Sequence, residues 1–268
     1  QLQKDSAFFP RFSAALRDDL ARSARAQIDA VLAGSRGSVA ELLSAEYTYA
    51  NDAVAQHLGS TERPGAVMSR ISTRELPRRG LLTHPALLSV YAHPDDGSPV
   101  LRGLFVRTRL LCTEIPPPPP EVMAAVAPPS PGQTTRERAE AHASPSCRGC
   151  HDLMDPIGFG LEAFDGVGQH RVTESGKPID DRGNIMGSDV AGPFQGGVEL
   201  GQKLAQSRQV GDCAATQLFR FGVGRKETPV DACTVALAQY RFREGGGTLY
   251  AALEGLVESD AFVRRTAP

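Results

Sequence analysis

Residues 145–165 read Pro145-Ser146-Cys147-Arg148-Gly149-Cys150-His151-Asp152-Leu153-Met154-Asp155-Pro156-Ile157-Gly158-Phe159-Gly160-Leu161-Glu162-Ala163-Phe164-Asp165. The stretch opens on C-x-x-C-H, a haem-attachment signature. Thiols three positions apart lie on one side of a helical turn, where both can add to the vinyl groups of a single macrocycle. The adjacent imidazole then faces the iron. The expectation is one covalent c-type haem, held by Cys147 and Cys150, with His151 as proximal ligand. A dithiol redox pair would sit at a strand-to-helix junction, whereas a charged helix and a proline precede Cys147. Zinc would need further ligands at suitable spacing, and only His142, His170 and distant cysteines are available. A Cys147–Cys150 disulfide would close a strained short loop.

The motif does not fix the second axial ligand. Met186 lies 35 residues past His151, in a loop that can fold over the opposite haem face. His142 precedes Cys147 by five residues, and a turn at Pro145 can bring it back. Met154 is one turn beyond His151 and faces the proximal side; His170, His84 and His93 are weaker candidates. Arg148, Arg171 and Arg182 are candidates to neutralise haem propionates, since guanidinium pairs well with carboxylate. Asp155 precedes a proline, which disfavours α backbone, so the haem helix is expected to end there. Phe159, Leu161 and Phe164 then become apolar walls for the macrocycle.

Working outward, the expected fold is mainly α. Ser13 to Leu32 places Leu16, Leu20, Ala24, Ile28 and Leu32 on one stripe, closed by Gly34. Ser38 with Glu41 reads as a capping box, and Asn51 caps a helix stopped by Gly59. Residues 60–80 read as a basic, solvated loop. Two apolar helical segments follow, Leu81 to Tyr91 and Val100 to Cys112. Residues 116–133 hold the run Pro116 to Pro120, then Pro128, Pro129 and Pro131, and read as a stiff extended connection. The expected division is a helical domain over 1–115, this linker, and a haem domain over 134–268. Within the last, Asp155 to Gly197 is rich in Gly, Asp and Pro and reads as long loops with at most a small hairpin. Helices close the chain over Val198 to Ala205, Asp212 to Phe221, Pro229 to Arg243 and Thr248 to Phe262. There is no internal repeat.

Composition narrows the class further. The chain has 268 residues, 41% of them hydrophobic, and a formal net charge of -2. That balance gives no basic footprint for nucleic acid, and no apolar run reaches the roughly 20 residues of a membrane span. The start carries no signal peptide, so an export signal is expected upstream. Of five cysteines, Cys213 and Cys233 flank a helix, turn and helix and are a candidate disulfide suited to an oxidising compartment. Cys112 is then left as a buried thiol. Asp95-Asp96 and Asp180-Asp181 read as solvated turns, and no phosphate loop or nucleophile elbow is present.

The haem segment, from Cys147 to His151 through Met154 to Asp165, then Gly168 and Arg171, resembles the planctomycete and myxobacterial cytochrome-c-like proteins with DUF1592, DUF1588 and DUF1585 domains. The resemblance extends over Arg79 to His84, Ser98 to Gly103 and Leu110 to Cys112, and over Phe219 to Arg225, Asp231 and Ser259 to Arg264. It implies a secreted, periplasmic or cell-surface protein with one haem c. It also matches His142 to a histidine that the family pattern carries before the motif, whereas Met186 falls on no such position. Both stay candidates. The expected function is electron transfer with a redox partner protein. The alternatives are a haem-dependent oxidative or peroxidase-like enzyme with an open iron site, and an extracellular binding or scaffold protein with structural haem.

Overall fold

The computed structural model describes residues 2–116, 132–141 and 145–263. Most of the proline-rich stretch and His142 lie outside the described residues. Helix α1, Ala14–Gly34, begins where the Ser13 hydroxyl accepts the Leu16 N–H. Its buried face is Leu20, Ser23, Gln27 and Val31 rather than the all-apolar stripe expected from the sequence. Two polar residues sit there, each with a partner that offsets part of the burial cost, although Gln27 Nε2 stays unpartnered. The Ser23 hydroxyl donates to the Tyr49 carbonyl, and Gln27 accepts from the Thr48 hydroxyl at 2.9 Å.

Helix α2, Val39–Ser44, and helix α3, Asp52–Leu58, follow with Ser38 and Asn51 as caps. Strand β1, Tyr47–Ala50, pairs antiparallel with β2, Ser69–Ser72. The expected solvated loop over 60–80 therefore contains a strand, and its arginines are not all in water. Arg78 is buried, donates to the Thr83 and Gly168 carbonyls, and lies 5.0 Å from the Phe164 ring centroid.

Helix α4 is Pro85–Val90 and α5 is Pro99–Phe105. A π-helical turn, Val106–Leu110, continues α5 directly. Then come α6, Thr135–Ala141, and α7, Pro145–Phe159, which carries the cysteine–histidine motif. Two antiparallel pairs follow: β3, Thr173–Glu174, with β4, Lys177–Pro178; and β5, Arg182–Ile185, with β6, Gly192–Gln195. The chain closes with α8, Gly196–Ala205, α9, Arg208–Val223, a 3-10 turn at Pro229–Asp231, α10, Ala232–Glu244, α11, Leu249–Val257, and α12, Asp260–Val263. No helix among the described residues is long and apolar enough to cross a membrane.

The central core mixes residues from both sides of the proline-rich stretch: Leu82, Leu88, Val106 and Leu111 pack with Ile157, Leu161, Phe164 and Leu200. A smaller N-terminal cluster gathers Leu20, Val54, Leu58 and Ile71. A third, near the C-terminus, gathers Phe219, Ala238, Phe242 and Leu256.

The disulfide joins Cys112 to Cys213, with their Cα atoms 5.4 Å apart. The expected Cys213–Cys233 pairing is thus corrected, and Cys112 is no leftover thiol. Cys213 lies on the buried face of α9, while Cys233, on the first turn of α10, is exposed and free. Helix α9 packs on the π turn, which ends just before Cys112.

Candidate functional site

Helix α7 is held by close backbone packing. A Cβ on Gly103 of α5 would collide with the Met154 backbone, and one on Gly158 of α7 would collide with the Pro99 backbone. The absence of side chains at these two positions lets α5 and α7 approach closely. Contrary to expectation, α7 does not stop at Asp155 but carries Pro156 inside it. Proline lacks the N–H that the Asp152 carbonyl would accept. The neighbouring Leu153 carbonyl gains an outside donor, Arg107 Nε of the π turn, at 2.7 Å.

Beyond α7 the chain is tied down by Arg102, buried on α5. It donates to the carbonyls of Leu161, Phe164 and Asp165 at 2.9, 2.7 and 2.6 Å. Glu162, equally buried, lies 3.9 Å from the same guanidinium. Burial pushes its carboxyl up to about 7 against the pull of Arg102 and Arg171. The Asp165 carboxylate then accepts from the Val167 and Gln169 N–H groups.

The continuation of α7 past Asp155 has a chemical result. His151 and Asp155 stand one turn apart, and His151 Nδ1 lies 2.9 Å from Asp155 Oδ2. With Nδ1 donating to the carboxylate, Nε2 keeps its lone pair for a ligand bond. The His151 side chain is 39% exposed while that of Asp155 is 10% exposed, so the acceptor is sheltered and the ring still reaches the surface. Burial pushes the Asp155 carboxyl up, and the bond from His151 opposes the rise. Asp155 Oδ1 has no partner. Cys150 is part-exposed, and open space surrounds Gly149. The side chain of Cys147 lies outside the described ones.

The remaining expected site residues are placed as follows. Phe159 is buried, with the Arg136 guanidinium 4.1 Å from its ring centroid. Leu161 and Phe164 are buried in the central core. Arg171 directs its guanidinium to Glu162 and Glu174 at 3.4 and 3.3 Å, and Arg182 pairs with Asp180 at 2.9 Å. Arg148 is exposed. Met186 is half-buried and directly follows β5, a strand packed on α7. Among the weaker histidine candidates, His84 caps α4, and His170 lies edge-on to the Phe164 ring with centroids 5.7 Å apart. Among the described residues no group of three or more His, Cys, Asp or Glu is gathered as a metal site. Sequence reasoning missed two residues. Asp155 carried a signal, its i,i+4 spacing from His151, which the following proline outweighed. Arg107 carried none beyond being a cation within an apolar helical run.

Residues 1–59 match the family described as a protein of unknown function, DUF1592; residues 78–174 match DUF1588, and residues 192–262 match DUF1585. The chain combines these three domains, in that order. The DUF1588 segment contains α5, the π turn, the proline-rich stretch and α7, so the motif and the helix that packs on it fall within one match. The resemblance residues now have structural work to do. Gly103 and Gly158 set the helix contact, and Arg102 ties down the turn after α7. Within the DUF1585 segment, Arg225 forks onto Asp231 at 2.7 and 2.9 Å, holding that carboxyl well below the usual range. No curated protein and no solved structure matches the chain.

Proposed function

We propose that this chain is an exported single-haem c-type protein that exchanges electrons with a redox partner. The observation that carries the reading is the His151–Asp155 pair on the helix that bears Cys147 and Cys150. Metal-ligating histidines characteristically donate their other ring N–H to a carboxylate or carbonyl, which fixes tautomer and ring orientation. Asp155 is placed to do this for His151, which would leave Nε2 as the axial donor. Cys147 and Cys150 would supply the two thioether anchors. A bound haem supplies a one-electron iron couple. His142 and Met186 are the candidates for the second axial position.

A periplasmic or cell-surface location fits this reading, because covalent haem attachment normally takes place outside the cytoplasm. The Cys112–Cys213 disulfide points the same way, since such bonds persist in oxidising compartments. The test is expression of the chain with a c-haem maturation system, followed by a pyridine haemochrome spectrum. One covalent haem per chain is expected, and it should be lost in Cys147→Ala/Cys150→Ala. A wild-type chain that emerges without covalent haem ends the reading.

One observation favours a second reading, a haem-dependent oxidative enzyme with an open iron site. A carboxylate on Nδ1 raises the basicity of the imidazole and so favours the oxidised metal. Ready binding of cyanide or azide would support the enzyme; a weak red-end band of the ferric protein, the mark of methionine ligation, would support the electron carrier.

A further inference from the structure

Arg107 stands apart among the buried arginines. It is 1% exposed. Its Nε donates to the Leu153 carbonyl at 2.7 Å, but its Nη2 is buried without a partner. Burial alone pulls its pKa down, with no acid acting in the other direction. Arg102, equally buried, has three carbonyls and the Glu162 carboxylate. Arg78 has two carbonyls, an aromatic face and the charge of Asp165. A buried cation with no counter-charge is strongly unfavourable unless something supplies the anion. The bond to Leu153 fixes Arg107 beside α7, two residues past His151. It also sits on a π turn, a distortion frequent at functional sites.

We infer that Arg107 is the counter-ion for a propionate carboxylate of the bound haem, an inference that rests on the haem reading above. Guanidinium matches carboxylate with paired, charge-assisted hydrogen bonds. Two of the sequence candidates already have protein partners: Arg171 is engaged by Glu162 and Glu174, and Arg182 by Asp180. Arg102 and Arg78 also leave a buried Nε unpartnered, but each has an acid acting on it; Arg107 is the one of these three buried arginines that joins an unused donor to the lack of a counter-charge among the described residues.

The test compares Arg107→Met in two full-length backgrounds: the haem-loaded chain, and the haem-free Cys147→Ala/Cys150→Ala chain. Without haem, methionine removes an unpaired buried charge, so the melting temperature should hold or rise. With haem, it strands a propionate, so the melting temperature should fall and the midpoint potential should shift negative. Arg107→Lys, which keeps the charge, should retain most of the potential. If Arg107→Met lowers both melting temperatures alike, or fails to fold without haem, Arg107 is only a brace for Leu153 and the inference is overturned while the haem reading stands. A wild-type chain without covalent haem removes both.

Discussion

His151 and Asp155 make an electronic prediction. Asp155→Asn keeps a hydrogen-bond acceptor but removes the negative charge behind the imidazole. The midpoint potential should therefore move positive in a redox titration, with haem still attached; an unchanged potential would mean that the carboxylate does not reach the iron electronically. His84 makes a prediction about pH. Its Nε2 lies 2.9 Å from the Ser23 hydroxyl and its Nδ1 accepts the Ala86 N–H, so the neutral ring serves both contacts. Burial holds its pKa down to about 3 from 6.5. Between these values the unfolded chain binds more protons, so stability is full above 6.5 and falls as the pH drops, by about 1.4 kcal/mol per unit. Glu162, held up to about 7 from 4.5, acts in the opposite sense between those values. The slope is therefore read as the difference between wild type and His84→Asn in denaturant titrations from pH 7 to pH 4, and parallel curves would refute it. At this scale the cysteines and His151 could be read directly, because their chemistry needs a fixed local spacing. Arg107 could not, because what distinguishes it is a buried donor with no counter-charge among the described residues, which only the packed chain reveals.

The contact between α5 and α7 is where the elements position the site. Gly103→Ala and Gly158→Ala each drive a methyl group into the facing backbone, which cannot rotate away as a side chain can. Each should cost at least about 1–3 kcal/mol in chemical denaturation. Gly34, at the end of α1, has nothing within 4 Å of an added Cβ, so Gly34→Ala should be neutral or stabilising by about 0.5–1 kcal/mol. Equal losses at all three positions would disprove the close-packing argument. Helix existence and two caps were legible in advance: Ser38 and Asn51 cap where expected. Three features were not. The buried face of α1 includes Ser23 and Gln27, whose partners come from β1 and α4. Strand β2 lies in an arginine-rich segment whose pairing with β1 is set by a distant sequence. Pro156 sits inside α7, where Arg107 reaches in from another helix. In each case a long-range partner overrode a local rule.

For the whole molecule, the disulfide between Cys112 and Cys213 links positions 101 apart in the chain. Closing a loop of that size restricts the unfolded chain by an amount worth about 4–5 kcal/mol. Cys112→Ala/Cys213→Ala should lose most of this in denaturant titration, with Cys233→Ala as an unaffected control. A double variant as stable as wild type would show that the bond does not form in the protein. The proline-rich stretch marks a change in composition along the chain, whereas the core forms from whatever the fold brings together. Leu82 and Val106 share their cluster with Ile157 and Leu200. The same bond has a topological consequence. Everything from Cys112 to Cys213, the motif helix and the β3–β4 and β5–β6 pairs included, is a covalent ring with a tail at each end. A single proteolytic cut inside the ring frees nothing, and its two products separate only after reduction. A cut in either tail leaves a fragment held by noncovalent packing alone. The motif is thereby kept attached to the rest of the chain through any single break in its own neighbourhood.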